Sequence, residues 1–143
     1  MTALLRVILL WIVGALAITI PLSRVNLPHY QRLTHGVRTN GVVTALEPTN
    51  HQAVHYSFRV ADKEYSGAGR AGFGNPEFGG LSVGQRVIVY YVSGDPNESC
   101  VGIPGELVKN EIAPIALAGI IFPAFALAVW TYRYASFKRW LLK

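Results

Sequence analysis

Two apolar runs, one towards each end of the chain, limit what it can fold into more than any other feature. Ala3 to Leu22, ALLRVILLWIVGALAITIPL, holds a single charge, Arg6, and Ile112 to Tyr132, IAPIALAGIIFPAFALAVWTY, holds none. Each is about 20 residues, and an α-helix rising ~1.5 Å per residue covers the ~30 Å hydrocarbon core of a bilayer in that length. The Leu, Ile, Phe and Val side chains of the second run contribute roughly −3 to −5 kcal/mol to insertion. Those of the first outweigh an Arg6 that can snorkel to the headgroups. Packing both runs inside a soluble domain is a poor alternative, because the stretch 23–111 would have to wrap two helices that are apolar on every side. The first run also has the outline of a secretory signal, with Ala15-Leu-Ala17 as a cleavage-like site. The apolar stretch continues past that site to Leu22, so it reads as a retained anchor.

Charge then sets the expected orientation. The net charge is +5, from 13 basic and 8 acidic residues. Between Arg24 and Ile112 the two signs balance, and the excess lies on Arg6, Arg133, Lys138, Arg139 and Lys143. Four of these follow the second run in YRYASFKRWLLK, which predicts a cytoplasmic C-terminus, an N-terminus on the same side and a middle region outside. Arg24, Arg32 and Arg38 after the first run oppose this, but loops longer than about 60 residues translocate largely regardless of charge. Trp130, Tyr132 and Tyr134 read as an interfacial belt, and Phe137, Trp140, Leu141 and Leu142 as a tail lying on the membrane. Lipid is therefore the expected partner of the basic residues. Nucleic acid is not, since it needs a basic face with stacking aromatics on a folded domain.

Between the runs the pattern changes to period two. NLPHYQRLTHG suits a short helix, with Asn26 and Pro28 at its start and Gly36 at its stop, standing between membrane and domain. Val54, Tyr56, Phe58 and Val60 alternate with His55, Ser57 and Arg59, the mark of a strand with one buried face. VADKEYSG turns at Ala61 to Lys63 into a second strand, so the two form a hairpin. GVVTALE is an earlier strand. QRVIVYYV, bulky at every position, is a central strand covered on both sides. A last short strand is expected around Ser99 to Ile103. The expected organisation is a transmembrane helix over 1–23, a linker with a short helix over 24–37, an antiparallel β-barrel or sandwich over 38–111, a second transmembrane helix over 112–132 and a basic tail over 133–143.

GVVTAL, VHYSFRVADKEYSG and VGQRVIVYYVSGDPNES follow one another in an order that resembles the bacterial membrane-protein family catalogued as domain of unknown function 3592. The resemblance covers about Gly41 to Val101 and both apolar runs. It implies a strand-rich module between two anchors in a bacterial cytoplasmic membrane and brings no active site. Where the family has a tighter Asp-Pro-x-x-Pro turn, this chain has Ser93-Gly94-Asp95-Pro96-Asn97.

Candidate chemistry is sparse. Gly67, Gly69 and Gly72 spell G-x-G-x-x-G, but a dinucleotide loop must open a helix whose free N–H groups hold the pyrophosphate. Phe73-Gly74-Asn75-Pro76 cannot begin one, so Gly67 to Gly80 reads as a flexible or bulged loop. Phe73 and Phe78 on it are either exposed contact anchors or caps on the domain core. His51 and His55 would stand ~13 Å apart on a strand, too far for one zinc, and His29 and His35 match no ligand spacing. Cys100 is the chain's one cysteine, expected to be buried near the last strand. No nucleophile elbow or paired carboxylates occur. No ionisable residue lies in the middle of either run, as an ion path would require. Gly14, and Ala124 with Ala128, offer small faces for helix packing. The expectation is a non-catalytic accessory or scaffold subunit without cofactor, metal or small-molecule substrate. Protein partners or further copies would be met at Phe73, Phe78, Ala124, Ala128 and Trp140. The alternative is an envelope module that captures a ligand or toxin through the Gly-rich loop.

Overall fold

The computed structural model describes residues 3–141, with side chains placed from Leu5 to Tyr134. Its elements run α1 (Ala3–Ser23), α2 (Leu27–Leu33), β1 (Val37–Glu47), β2 (Ala53–Val60), β3 (Lys63–Arg70), β4 (Arg86–Val92), β5 (Asp95–Val101) and α3 (Pro104–Leu141). They divide into a strand-rich unit over Asn26–Glu111 and a helical unit made of α1 and the part of α3 from Ile112 onward.

Alternation builds the strands as expected. In β2, Val54, Tyr56 and Phe58 are buried while Arg59 is exposed. The hairpin turns on Ala61 and Asp62, with Ala61 in the left-handed region, and returns as β3. All pairings are antiparallel in the order β3-β2-β1-β4-β5, a Greek key in which β4 comes back to the free side of β1. β1 turns a corner, pairing with β4 over Val37–Val42 and with β2 over Gly41–Glu47. The overlap falls at Gly41, where a Cβ would sit 2.8 Å from both the Ser57 carbonyl and Val89 Cγ2. A register shift follows between Val43 and Ala45. A close-packed glycine beside a bulge is a standard means of curling a sheet.

The curl brings β3 beside β5, so the five strands form a nearly closed antiparallel sheet, which favours the barrel alternative over the sandwich. Tyr56 Oη on β2 reaches over to share a 3.0 Å hydrogen bond with Ser99 Oγ on β5. Val43, Val54, Tyr56, Phe58, Val89 and Val101 fill the interior. The β3–β5 seam yields an engineering test. A Cβ built on Gly69 stands 3.9 Å from Val101 Cβ, inside the range for disulfides, about 3.5–4.5 Å. In a Cys100→Ala background, Gly69→Cys with Val101→Cys is expected to oxidise spontaneously. The bridge should raise the stability of the domain by about 3 kcal/mol, as read by non-reducing mass analysis and thermal unfolding.

β4 is covered on both faces, as its sequence implies. Val87, Val89 and Tyr91 belong to the interior cluster, and Tyr90 and Val92 pack on a second cluster formed by Leu33, Cys100 and Leu107. Three boundaries differ from the sequence reading, the first being the last strand, which runs Asp95–Val101 rather than around Ser99 to Ile103. α2 is part of the domain, with Leu33 fully buried against that second cluster, Arg32 paired with Glu98, and Gly36 so close to β4 that a Cβ would lie 2.7 Å from the Tyr91 carbonyl. α3 begins at buried Pro104, which suits a first helical position, and its first turns carry Leu107 into the same cluster. The polar residues Glu106, Lys109 and Glu111 on those turns hide the helix from a reading based on apolar runs alone.

In the helical unit, α1 and α3 pack through small residues. A Cβ on Gly14 would lie 3.3 Å from Pro123 Cβ, and one on Gly119 would lie 2.4 Å from Thr19 Cγ2. Both helices are long and apolar enough to cross a membrane.

Candidate interaction surfaces

The segment Glu64 to Gly80 is structural, and it corrects the expectation of a flexible loop from Gly67 onward. Gly67 and Gly69 lie within β3. A Cβ on Gly67 would stand 2.5 Å from Tyr56 Oη, and one on Gly69 2.7 Å from Val101 Cγ1, so both glycines make room for core side chains. Gly72 and Gly74 do lie in the following loop, at φ +82° and +87°. That loop is pinned. The Gly72 N–H donates to the Pro76 carbonyl at 3.0 Å, and the Ile103 N–H to the Phe73 carbonyl at 2.7 Å. Asn75 makes a two-sided clamp on β4, accepting from the Ile88 N–H at 2.7 Å and donating to the Ile88 carbonyl at 3.1 Å. The one helical turn that follows, Phe78–Gly80, is three residues of 3₁₀ helix. Phe73 packs against the Leu33–Cys100–Leu107 cluster and Phe78 against the interior cluster, both half-buried. Of the two roles weighed for these rings, the geometry matches the caps.

The titratable groups fall into two kinds. At the surface, the Glu47 carboxylate accepts from Asn50 Nδ2 at 2.7 Å and lies 2.9 Å from His55 Nε2. The Asn50 hydrogen bond, with help from His55, holds this carboxyl below its usual range. His51 lies in the β1–β2 turn, at φ 49°, rather than on a strand. Among the described residues, no three His, Cys, Asp or Glu side chains gather as metal ligands. In the interior, burial pushes the Tyr56 phenol up to about 12 and the Cys100 thiol up to about 12. Cys100 Sγ faces the Gly102 carbonyl at 3.8 Å. A neutral, enclosed thiol is a poor nucleophile. Iodoacetamide at pH 8 is therefore expected to leave Cys100 unmodified in the folded chain and to label it on addition of denaturant.

These two groups also give the domain an alkaline limit. Each is held protonated by folding, above the ordinary values of 9.0 for the thiol and 10.0 for the phenol. The folded state therefore binds more protons than the unfolded state between about pH 9 and 12. The stabilisation is fully present below that window and is lost as pH rises through it. Urea unfolding repeated from pH 7 to 11 is expected to show a falling midpoint above pH 9, and Cys100→Ala with Tyr56→Phe should flatten the fall.

On the outer face of β1, β2 and β3 lies a shallow depression of about 270 Å³, lined by Asn40, Val42, Ser57, Phe58, Arg59 and Glu64. Arg59 and Glu64 are cross-strand partners there, an arrangement that serves strand pairing without a ligand. On the helical unit, Ala124 and Ala128 are exposed, the first directly after the Pro123 that meets Gly14 and the second about one turn further on. Gly119, which the sequence reading passed over, is buried and makes the tighter approach. It lies four residues before Pro123 on the same helix face, the one signal that could have drawn attention to it. The side chain of Trp140 lies outside the described residues. An apolar groove of about 360 Å³ runs along α1 and α3 between Leu10, Gly14, Pro123, Ala126, Leu127 and Trp130.

No protein-family model, curated protein or solved structure matches the chain. The resemblance to domain of unknown function 3592 thus rests on the order of motifs between Gly41 and Val101 and on the two apolar runs beside them.

Proposed function

We propose that this chain is an integral membrane protein of a bacterial cytoplasmic membrane, with α1 and α3 crossing the bilayer, both termini in the cytoplasm and the β-domain outside. It acts there as a non-catalytic accessory or scaffold subunit: the helices dock in the membrane and the domain steadies an outward-facing partner. The observation that carries the reading is the outer surface of the helical unit. Val13, Phe122 and Phe125 are 62%, 60% and 67% exposed, in company with Leu16, Leu117 and Ile120. An apolar surface that size needs lipid or another helix against it. The non-catalytic part of the reading draws on the perturbed groups. Cys100 and Tyr56 are enclosed by packing and line neither of the two depressions described above, whereas active-site groups are normally shifted within a cleft.

The test is extraction of the C-terminally tagged chain in mild detergent. A stoichiometric partner or a defined oligomer is the expected result, and a monomer under every gentle condition would reject the accessory role. Orientation is checked separately with Asn50→Cys in a Cys100→Ala background. A membrane-impermeant maleimide added to intact cells should label it. Labelling only after lysis would reverse the proposed topology.

A further inference from the structure

We infer that the groove between α1 and α3 is a binding site for an anionic phospholipid, its acyl chain lying along Gly14 and Pro123 and its phosphodiester held by Arg6 and Arg133. The inference rests on the proposed membrane reading and adds a ligand to it.

Its geometry comes from the pairing of the two helices. Gly14 meets Pro123 and Thr19 meets Gly119, so the helices run antiparallel and partner positions sum to 137 or 138. Extended by the same rule, Arg6 is level with residues 131 and 132, and Arg133 stands within roughly 3 Å of the same depth. At its end the groove is lined by Leu10, one turn short of this level, and by Trp130, about 2 Å short of it. Arg6 precedes Leu10 by four residues and Arg133 follows Trp130 by three, so each arginine shares a helix face with a groove residue. Trp130 stacks on Tyr134, with ring centroids 6.1 Å apart, which places an aromatic pair at the same end. From Ile112 to Trp130 the helix rises about 27 Å, so Trp130 and the arginines reach the headgroup layer when the apolar run fills the hydrocarbon core.

Charge chooses the occupant. Every acidic residue of the chain lies between Glu47 and Glu111, so neither helix offers a counter-charge at this end. A second copy docking symmetrically would bring its own Arg6 and Arg133 to the same place, like charge against like. A phospholipid with net negative charge supplies the missing charge and the apolar chain together. Basic pockets between membrane helices hold such headgroups.

The full chain is reconstituted in nanodiscs containing equal amounts of phosphatidylglycerol and phosphatidylcholine, then released for native mass spectrometry. The expected result is one retained phosphatidylglycerol per chain, favoured roughly tenfold over phosphatidylcholine. Arg6→Gln with Arg133→Gln should abolish the preference, and the corresponding double Lys variant should keep most of it. Ala126→Trp, which fills the groove and leaves both charges, should abolish retention. Equal retention of the two lipids, or a preference untouched by the Gln pair, overturns the inference. Carbonate extraction of the full chain reconstituted in vesicles of the same two lipids separates the two readings. A chain that washes off overturns both the membrane reading and the lipid site, whereas a chain that resists extraction but shows no lipid preference overturns the lipid site alone.

Discussion

Gly67→Val is expected to lower the melting temperature of the β-domain by roughly 10–20 °C. The residue lies opposite Tyr56 in the β2–β3 ladder, and the Tyr56 ring folds across it. A Cβ there would stand 2.5 Å from the hydroxyl and 2.6 Å from Cζ, separations that no side-chain pair tolerates. Tyr56 cannot step aside. It is fully buried, hydrogen-bonded to Ser99 on β5 and stacked 6.2 Å from Phe58. Either β3 peels from β2 or the ring leaves the core, and overpacking of this kind costs about 2–3 kcal/mol. A domain of this size is stable by roughly 4–13 kcal/mol in total, and each kcal/mol moves its midpoint by about 4–8 °C. Tyr56→Phe is the control. It leaves the shape intact, removes only the link to Ser99 and should cost about 1 kcal/mol. All three tryptophans, Trp11, Trp130 and Trp140, belong to α1 and α3. The domain must therefore be followed by far-ultraviolet dichroism or by amide exchange in β2 and β3. A Gly67→Val chain as stable as the parent would mean that β3 does not lie over Tyr56.

The same glycine shows where the sequence was legible and where it was not. The apolar runs could be read because each is long and apolar on nearly every side, a pattern independent of its neighbours. β2 and β3 could be read because one face of each strand is dry, and the turn at Ala61 and Asp62 interrupts the alternation. Gly67 and Gly69 could not be placed, because what they serve is the cross-strand neighbour. A fingerprint of spacing along the chain cannot see Tyr56 or Val101 across the barrel. Phe73 and Phe78 were ambiguous for the same reason: whether a ring in a loop points out or in depends on clusters assembled from distant elements, α2, β5 and α3 for Phe73 and β1, β2, β4 and β5 for Phe78. The start of α3 at Pro104 was hidden by Glu106, Lys109 and Glu111, polar residues on turns anchored by buried Pro104 and Leu107. Of the groove, Gly14 was visible as a small residue, but the antiparallel register that makes it the partner of Pro123 is a property of the pair.

The register is open to a size-exchange test, the second large effect. A Cβ on Gly119 would lie 2.4 Å from Thr19 Cγ2 but an ordinary 3.9 Å from Thr19 Cβ. Gly119→Ala alone should therefore push the helices apart. If the pair lies in a membrane as proposed, where helices associate through close packing with little hydrophobic help, loss of that contact should largely dissolve it. Thr19→Ala removes the methyl group that collides, together with the hydroxyl that donates to the Ala15 carbonyl at 2.9 Å. The double variant should regain the parental contact. Cross-linking supplies the measurement: Gly14 and Pro123, both replaced by cysteine in a Cys100→Ala chain, start from a Cβ separation of 3.3 Å, just short of the usual span. Oxidation in detergent micelles is expected to close this bridge within the chain and to fail, or fall at least tenfold, when Gly119→Ala is added. Adding Thr19→Ala as well should restore it. If Gly119→Ala leaves the yield unchanged, the helices meet through some other face and the groove beside Gly14 loses one of its walls. If the double variant fails as badly as the single, the obstruction at Gly119 comes from the helix backbone, and Thr19 is not its partner.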